Sequence, residues 1–194
     1  MPRFGYGEPH RRAAPEGART LTLPGGDRAG APGGPAPSRR EFALWPDLGR
    51  LPYFDADAEE TALPPVVARL RAAVAASDGV LIATPEYAHG TSGVLKNALE
   101  WLVGGGELDG KPVALASASP AVSGGDRARA WPAQTLAVMM GARVIPRQLR
   151  LPGATRRIEH GRVVDGPGLA ALGALLDDLA AAAAVARAEN EALT

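Results

Sequence analysis

The run Gly79-Val80-Leu81-Ile82-Ala83, closed by Thr84-Pro85, constrains this chain more than any other feature. A strand with one wet face alternates apolar and polar residues, so a short run without alternation suits a central parallel strand buried on both faces. Pro112 to Ala118 is a second run of this kind. Helical patterns surround both. After Pro64-Pro65, the residues Val66, Val67, Leu70, Ala73 and Val74 recur on one face, with proline tolerated in the first turn. After Thr91-Ser92, either of which suits an N-cap, Val94, Leu95, Ala98, Leu99 and Leu102 form an inner stripe. Lys96, Asn97 and Glu100 form the outer one, and Gly104-Gly105-Gly106 stops the helix. A further helix runs to about Met140, with Pro132 as a kink or late start. Val144-Ile145 opens a last strand reaching towards Leu151, and an Ala/Leu helix from about Leu169 closes the chain. Strands alternating with helices predict an α/β domain around a parallel sheet.

Composition divides the chain at residue 40. Residues 1–40 contain 8 Gly and 7 Pro and neither Val nor Ile, so they are expected to be a disordered or atypical N-terminal segment, with residues 41–194 the folded domain. Gly-, Pro-, Ala- and Arg-rich text is also what GC-rich DNA gives out of frame, which makes a frameshift or mis-called start before about Arg40 an expectation. Translating the upstream DNA in the other two frames tests it. Glu41 to Trp45 reads as the first strand of the domain, and Asp55 to Glu60 as an acidic linker.

Several function classes drop out at this stage. Lys+Arg and Asp+Glu are both 21, so no basic field draws nucleic acid or an anionic membrane. Without cysteine there is no disulfide, thiolate nucleophile or Cys-ligated cluster, and His10, His89 and His160 are too few and too scattered to predict a metal site. The apolar stretch near Leu169 to Ala188 is broken by Asp177 and Asp178 and reads as a soluble helix, not a membrane span. No apolar run follows Arg3, Arg11 and Arg12, so no secretory signal is expected and the cytoplasm is the expected compartment.

In an open parallel sheet, ligands bind in the crevice beyond the carboxyl ends of the strands. Two loops belong there: Thr84 to Gly93, and Ser117 to Gly125. Gly105 to Lys111 imitates the spacing of a nucleotide-binding P-loop. It is a decoy, since Pro112 replaces the required Ser or Thr and a helix precedes it where the motif needs a strand.

Thr84-Pro85-Glu86-Tyr87, followed by Gly93-Val94-Leu95-Lys96-Asn97-Ala98-Leu99-Glu100-Trp101, resembles the TPEYN…GxLKNAxDW motif of the NADPH-dependent FMN reductases, with the spacing kept throughout. The looser resemblance runs from about Phe42 to Leu179 and includes Leu51-Pro52-Tyr53-Phe54-Asp55 and the Gly124-Gly125 loop. It implies a flavodoxin-like three-layer sandwich with a parallel sheet of order 2-1-3-4-5. It also implies bound FMN, NADPH or NADH as co-substrate, a small-molecule electron acceptor, and a homodimer or homotetramer. By the same resemblance, Pro85, Glu86, Tyr87, Ala88 and His89 carry the isoalloxazine ring, with Tyr87 beside it and Glu86 shaping a subunit contact. Ser119 and Ser117 meet its other edge. Hydride transfer through a flavin needs no protein nucleophile, so no catalytic acid or base is assigned.

Two departures stand out. Ala88 occupies a position where the family commonly has Asn. The family's first strand, its phosphate loop of the form GSLRxxSxN and its first helix find no match before Glu41, leaving them missing or degenerate. Thr20-Leu21-Thr22-Leu23 followed by Pro24-Gly25-Gly26-Asp27-Arg28 is the sole candidate. The leading reading is therefore a flavin-dependent reductase passing hydride from NAD(P)H to FMN and on to a quinone, flavin, azo or metal-ion acceptor. Its alternatives are a non-enzymatic flavodoxin-like module that has lost FMN, and an FMN-binding electron carrier that does not oxidise NADPH. A flavin spectrum separates the first alternative, and an NADPH assay the second.

Overall fold

The structure, a computed structural model, describes residues 19–24 (as backbone), 42–160 and 162–192. Its centre is a pair of parallel strands, β3 (Ser77–Pro85) and β4 (Pro112–Ser119), in register from Val80 opposite Val113 to Pro85 opposite Ala118. Their apolar runs lack alternation because both faces are covered. Val80, Ile82, Val113 and Leu115 enter one core, and Leu81, Ala114 and Ala116 enter the other. The first core is closed by the helices α2 (Pro65–Ala75), α3 (Gly93–Val103) and α4 (Asp126–Met139) through residues such as Leu70, Leu99 and Leu136. The second is closed by α5 (Gly166–Ala192), whose Leu175 and Leu179 are fully buried. At Gly79 the approach is close: a Cβ there would stand 3.2 Å from Leu179 Cδ1.

The sheet order is β2-β1-β3-β4-β5, which is the expected 2-1-3-4-5, with β1 (Arg19–Pro24) between β2 (Ala43–Trp45) and β3. The expectation of an all-parallel sheet is corrected here, because β1 runs antiparallel to both neighbours, with Leu21 opposite Leu44 and Leu81. The facing edges of β2 and β3 need partners for their N–H and C=O groups, and a strand of either direction supplies them. Thr20-Leu21-Thr22-Leu23 has the β-branched and apolar alternation to do so. The expectation of disorder or atypical structure over 1–40 thus meets a strand at 19–24. The rest of that segment lies outside the described residues.

Other elements refine the reading. The acidic stretch at Asp55 to Glu60 is not a bare linker. Asp55 caps a short helix, α1 (Ala56–Thr61), by accepting from Ala58 N–H at 3.1 Å. Pro132 sits inside α4 and not at its first turn, supplying no N–H to the carbonyl of Ala128. The last strand is split in two at Pro146: β5 (Arg143–Val144) and β6 (Leu149–Pro152) both pair parallel with β4. A small hairpin, β7 (Ile158–Glu159) and β8 (Arg162–Val163), precedes α5. By length and composition α5 is the one described helix apolar enough to cross a membrane. Here it lies on the sheet and is pinned by ion pairs of Arg147 with Asp178 and of Arg143 with Glu189.

Candidate functional site

Because β3 and β4 are parallel and in register, the loops that leave them emerge side by side, Pro85 next to Ala118. The first loop is a locked turn. Tyr87 N–H donates to Gly90 O at 3.1 Å and Gly90 N–H returns the bond to Tyr87 O at 2.9 Å, with Ala88 and His89 both at positive φ, 48° and 58°. Reciprocal bonds around two left-handed residues make a type I′ turn. Asparagine tolerates the left-handed region where alanine does not, so the turn itself explains why Asn suits position 88 and why Ala88 is a strained replacement. Among the described residues the N–H groups of Ala88 and His89 donate to nothing, and Tyr87 is half-exposed.

Glu86 and His89 tie this turn to the start of α4. The Glu86 carboxylate, largely buried, accepts from Arg127 N–H at 3.3 Å, where the positive end of a helix favours an anion. The Arg127 guanidinium lies 2.7 Å from His89 Nδ1. A guanidinium only donates, so Nδ1 is the acceptor and the ring proton sits on Nε2. The same nitrogen is 3.8 Å from Glu86 Oε1, which makes that carboxylate a through-space neighbour and not its hydrogen-bond partner. Thr84, buried beneath the turn, lies 3.3 Å from Thr91 Oγ1, and Ser92 Oγ caps α3 by accepting from Leu95 N–H at 3.3 Å.

The second loop is held from below. Ser117, buried, donates to Gly124 O at 2.6 Å and accepts from Arg129 Nε at 2.9 Å. Arg129 also donates to Gln148 Oε1 at 2.7 Å and to Asp126 Oδ1 at 2.6 Å, so its guanidinium binds β4, β6's approach and α4 together. Gly125, at φ 90°, passes so close that a Cβ would stand 2.8 Å from Ser117 Cβ. Ser119 differs from Ser117: its oxygen accepts from Ala121 N–H at 3.2 Å, and its hydroxyl proton has no acceptor among the described residues.

Sequence reasoning missed Arg127, Arg129 and Gln148. Nothing in the spacing of a surface arginine announces a serine twelve residues away. A signal did exist for a second pair. Asn97 and Trp101, four apart on one helical face, both donate to Pro52 O, at 2.8 and 2.9 Å, while Asn97 Oδ1 accepts from Phe54 N–H at 2.9 Å. Asn97 and Trp101 of the recognised motif thus fasten the Leu51 to Asp55 loop beside α3, with Phe54 edge-on to Trp101 at 5.0 Å. The P-loop look-alike lies at the opposite end of the sheet. There Lys111 binds the carbonyls of Ala75 and Ser77, and burial pushes its ammonium below the usual lysine value against the attraction of Asp78.

The sequence profile of the family described as NADPH-dependent FMN reductase matches residues 40–156. The chain belongs to this family. It is 39% identical over 95 residues to a quinone reductase of Escherichia coli K12, covering 47% of this chain and 50% of that protein. It is 39% identical over 92 residues to the NAD(P)H-dependent FMN reductase PA1204 of Pseudomonas aeruginosa, covering 46% and 50%. Among solved structures it resembles FerB, a flavoenzyme NAD(P)H:(acceptor) oxidoreductase from Paracoccus denitrificans, with TM-score 0.58, 30% identity and coverage of 68% and 75%. The chain spans about half the length of the curated relatives it matches. FMN and NADPH are therefore the cofactor and co-substrate of the family to which this FMN reductase homologue belongs.

The described residues fit a flavin ring on one side. A flat heterocycle with a polar edge suits a rigid turn that offers unpaired N–H groups beside a half-exposed tyrosine.

Proposed function

We propose that this chain is a flavin-dependent oxidoreductase in which NAD(P)H reduces FMN and the electrons pass to a small-molecule acceptor such as a quinone, flavin, azo compound or metal ion. The observation that carries the reading is the locked type I′ turn at Tyr87 to Gly90, standing beside Ser119 at the carboxyl ends of two parallel strands. In this reading the ring edge lies on the backbone of Pro85 to His89. Tyr87 covers a face, and Ser119 offers its free proton to the other edge. Ser117, with Glu86 and Arg129, holds the two loops at fixed separation. When bound, the flavin supplies the hydride acceptor, and the protein contributes position and exclusion of water. Family membership and the names of the relatives support the same chemistry.

The reading extends to assembly. Trp131, Val138 and Met139 expose apolar surface on α4, with Lys96 Nζ 5.6 Å from the Trp131 ring, which suits a homodimer or homotetramer contact. Light scattering of the purified protein checks the mass. For the activity, the decisive experiment is the absorption spectrum of the full chain with added FMN, followed by NADPH oxidation with a quinone. A flavin spectrum shifted by the protein and turnover lost in Tyr87→Ala and Ser119→Ala are expected. Protein that takes up no FMN removes the proposal.

A further inference from the structure

We propose that Arg129 is a positioning residue for the flavin, acting through Ser117 and through its charge, so that the bound ring is easier to reduce. This rests on the flavin reading above. Arg129 stands in the first turn of α4, and its side chain is only 12% exposed. Its guanidinium donates to Ser117 Oγ at 2.9 Å, to Gln148 Oε1 at 2.7 Å and to Asp126 Oδ1 at 2.6 Å. Taking a cation out of water costs more than burying a neutral donor. Ser117 and Gln148 are neutral, and a neutral donor would satisfy them at lower cost. The third partner, Asp126, is 51% exposed and also pairs with Arg150 at 3.3 Å, so solvent and a second cation weaken its hold on the Arg129 charge. These three partners offset that charge only in part.

The charge lies where a ring would feel it. Ser117 and Ser119 share one face of β4, two residues or about 7 Å apart, and Ser119 is the residue assigned to the ring edge. Ser117 also stands opposite Thr84 in the parallel ladder, one residue before the Pro85 turn. Through its bond to Gly124 O at 2.6 Å, Ser117 passes the Arg129 contact on to the second loop. A hydride from NAD(P)H carries two electrons and one proton to the ring, leaves NAD(P)+, and adds one negative charge to the ring. A fixed cation nearby favours that product over the uncharged oxidised ring. At about 10 Å and an effective dielectric of about 20, one unit charge is worth roughly tenfold in this equilibrium.

The test measures the midpoint potential and the dissociation constant of FMN on the full chain, unaltered and in three variants. Arg129→Met removes the charge, and should favour the oxidised ring by about tenfold, a fall of about 30 mV for a two-electron couple. Arg129→Lys keeps the charge but not the planar fork, so it should weaken FMN binding several-fold and leave the potential near that of the unaltered chain. Asp126→Asn removes the opposing carboxylate at a half-exposed position, and should raise the potential by a smaller amount. An unmoved potential in Arg129→Met, or one that falls as far in Arg129→Lys, overturns the role of the charge. Where Arg129→Met does not fold, Asp126→Asn decides, and a potential that fails to rise overturns the proposal. An unaltered chain that binds no FMN overturns the flavin reading itself.

Discussion

The two edges of β3 carry the same kind of ladder and opposite consequences. On one edge β4 runs parallel, and its loop arrives beside the β3 loop at the carboxyl end. On the other, β1 runs antiparallel, and its last residue, Pro24, pairs with Ser77 at the amino end of β3. Backbone N–H and C=O groups accept a neighbour of either direction, so the sheet closes equally well both ways. A binding site is not indifferent in this way, since strand direction decides at which end of the sheet a loop appears.

Substitutions in the two halves should behave differently, and the largest effect belongs to the half around α3. Trp101 is fully buried and its indole N–H fastens the Pro52 loop. Trp101→Ala should cost about 3–5 kcal/mol in chemical denaturation. Leu21→Pro breaks the ladder of β1, which is hydrogen-bonded on both edges, and should cost about 1–3 kcal/mol. If the site belongs to β3 and β4 alone, the folded fraction of Leu21→Pro binds flavin as the unaltered chain does, and hydrogen exchange rises in β1 and not in β4. Loss of binding in that folded fraction would show that the two edges are coupled.

Gly125→Ala forces a Cβ against Ser117 and should cost about 1–3 kcal/mol while weakening flavin binding. Ala88→Asn acts in the opposite direction. It relieves a left-handed alanine in the ring turn and should raise stability by about 1 kcal/mol, read as a higher denaturation midpoint.

The smallest effect lies at the amino end of the sheet. Burial lowers the Lys111 pKa from 10.5, so over the window between that lowered value and 10.5 the unfolded chain binds the proton that the folded chain has released. Stability should rise with pH across this window, and Lys111→Met should remove that rise in denaturation curves.

Much of this was legible in the sequence. Unalternating apolar runs mark β3 and β4 because only strands covered on both faces can be apolar throughout, and the Ser92 cap and the glycines after Val103 bound α3. The Pro85-Glu86-Tyr87 loop was placed at the strand ends by the same logic. The split of the last strand at Pro146 and the helix at Ala56–Thr61 were not, since short elements depend on local caps and partners more than on periodicity.

The sequence by itself determined the two central strands and the longer helices, because hydrophobic period and turn residues are written in the local order of side chains. Only the tertiary structure decided the direction of β1, the commitment of Arg129 to Ser117, and the use of Glu86 as a cap on α4. Those are relations between residues far apart in the chain. They are fixed by which backbone edges and buried polar groups must find partners once the sheet has formed.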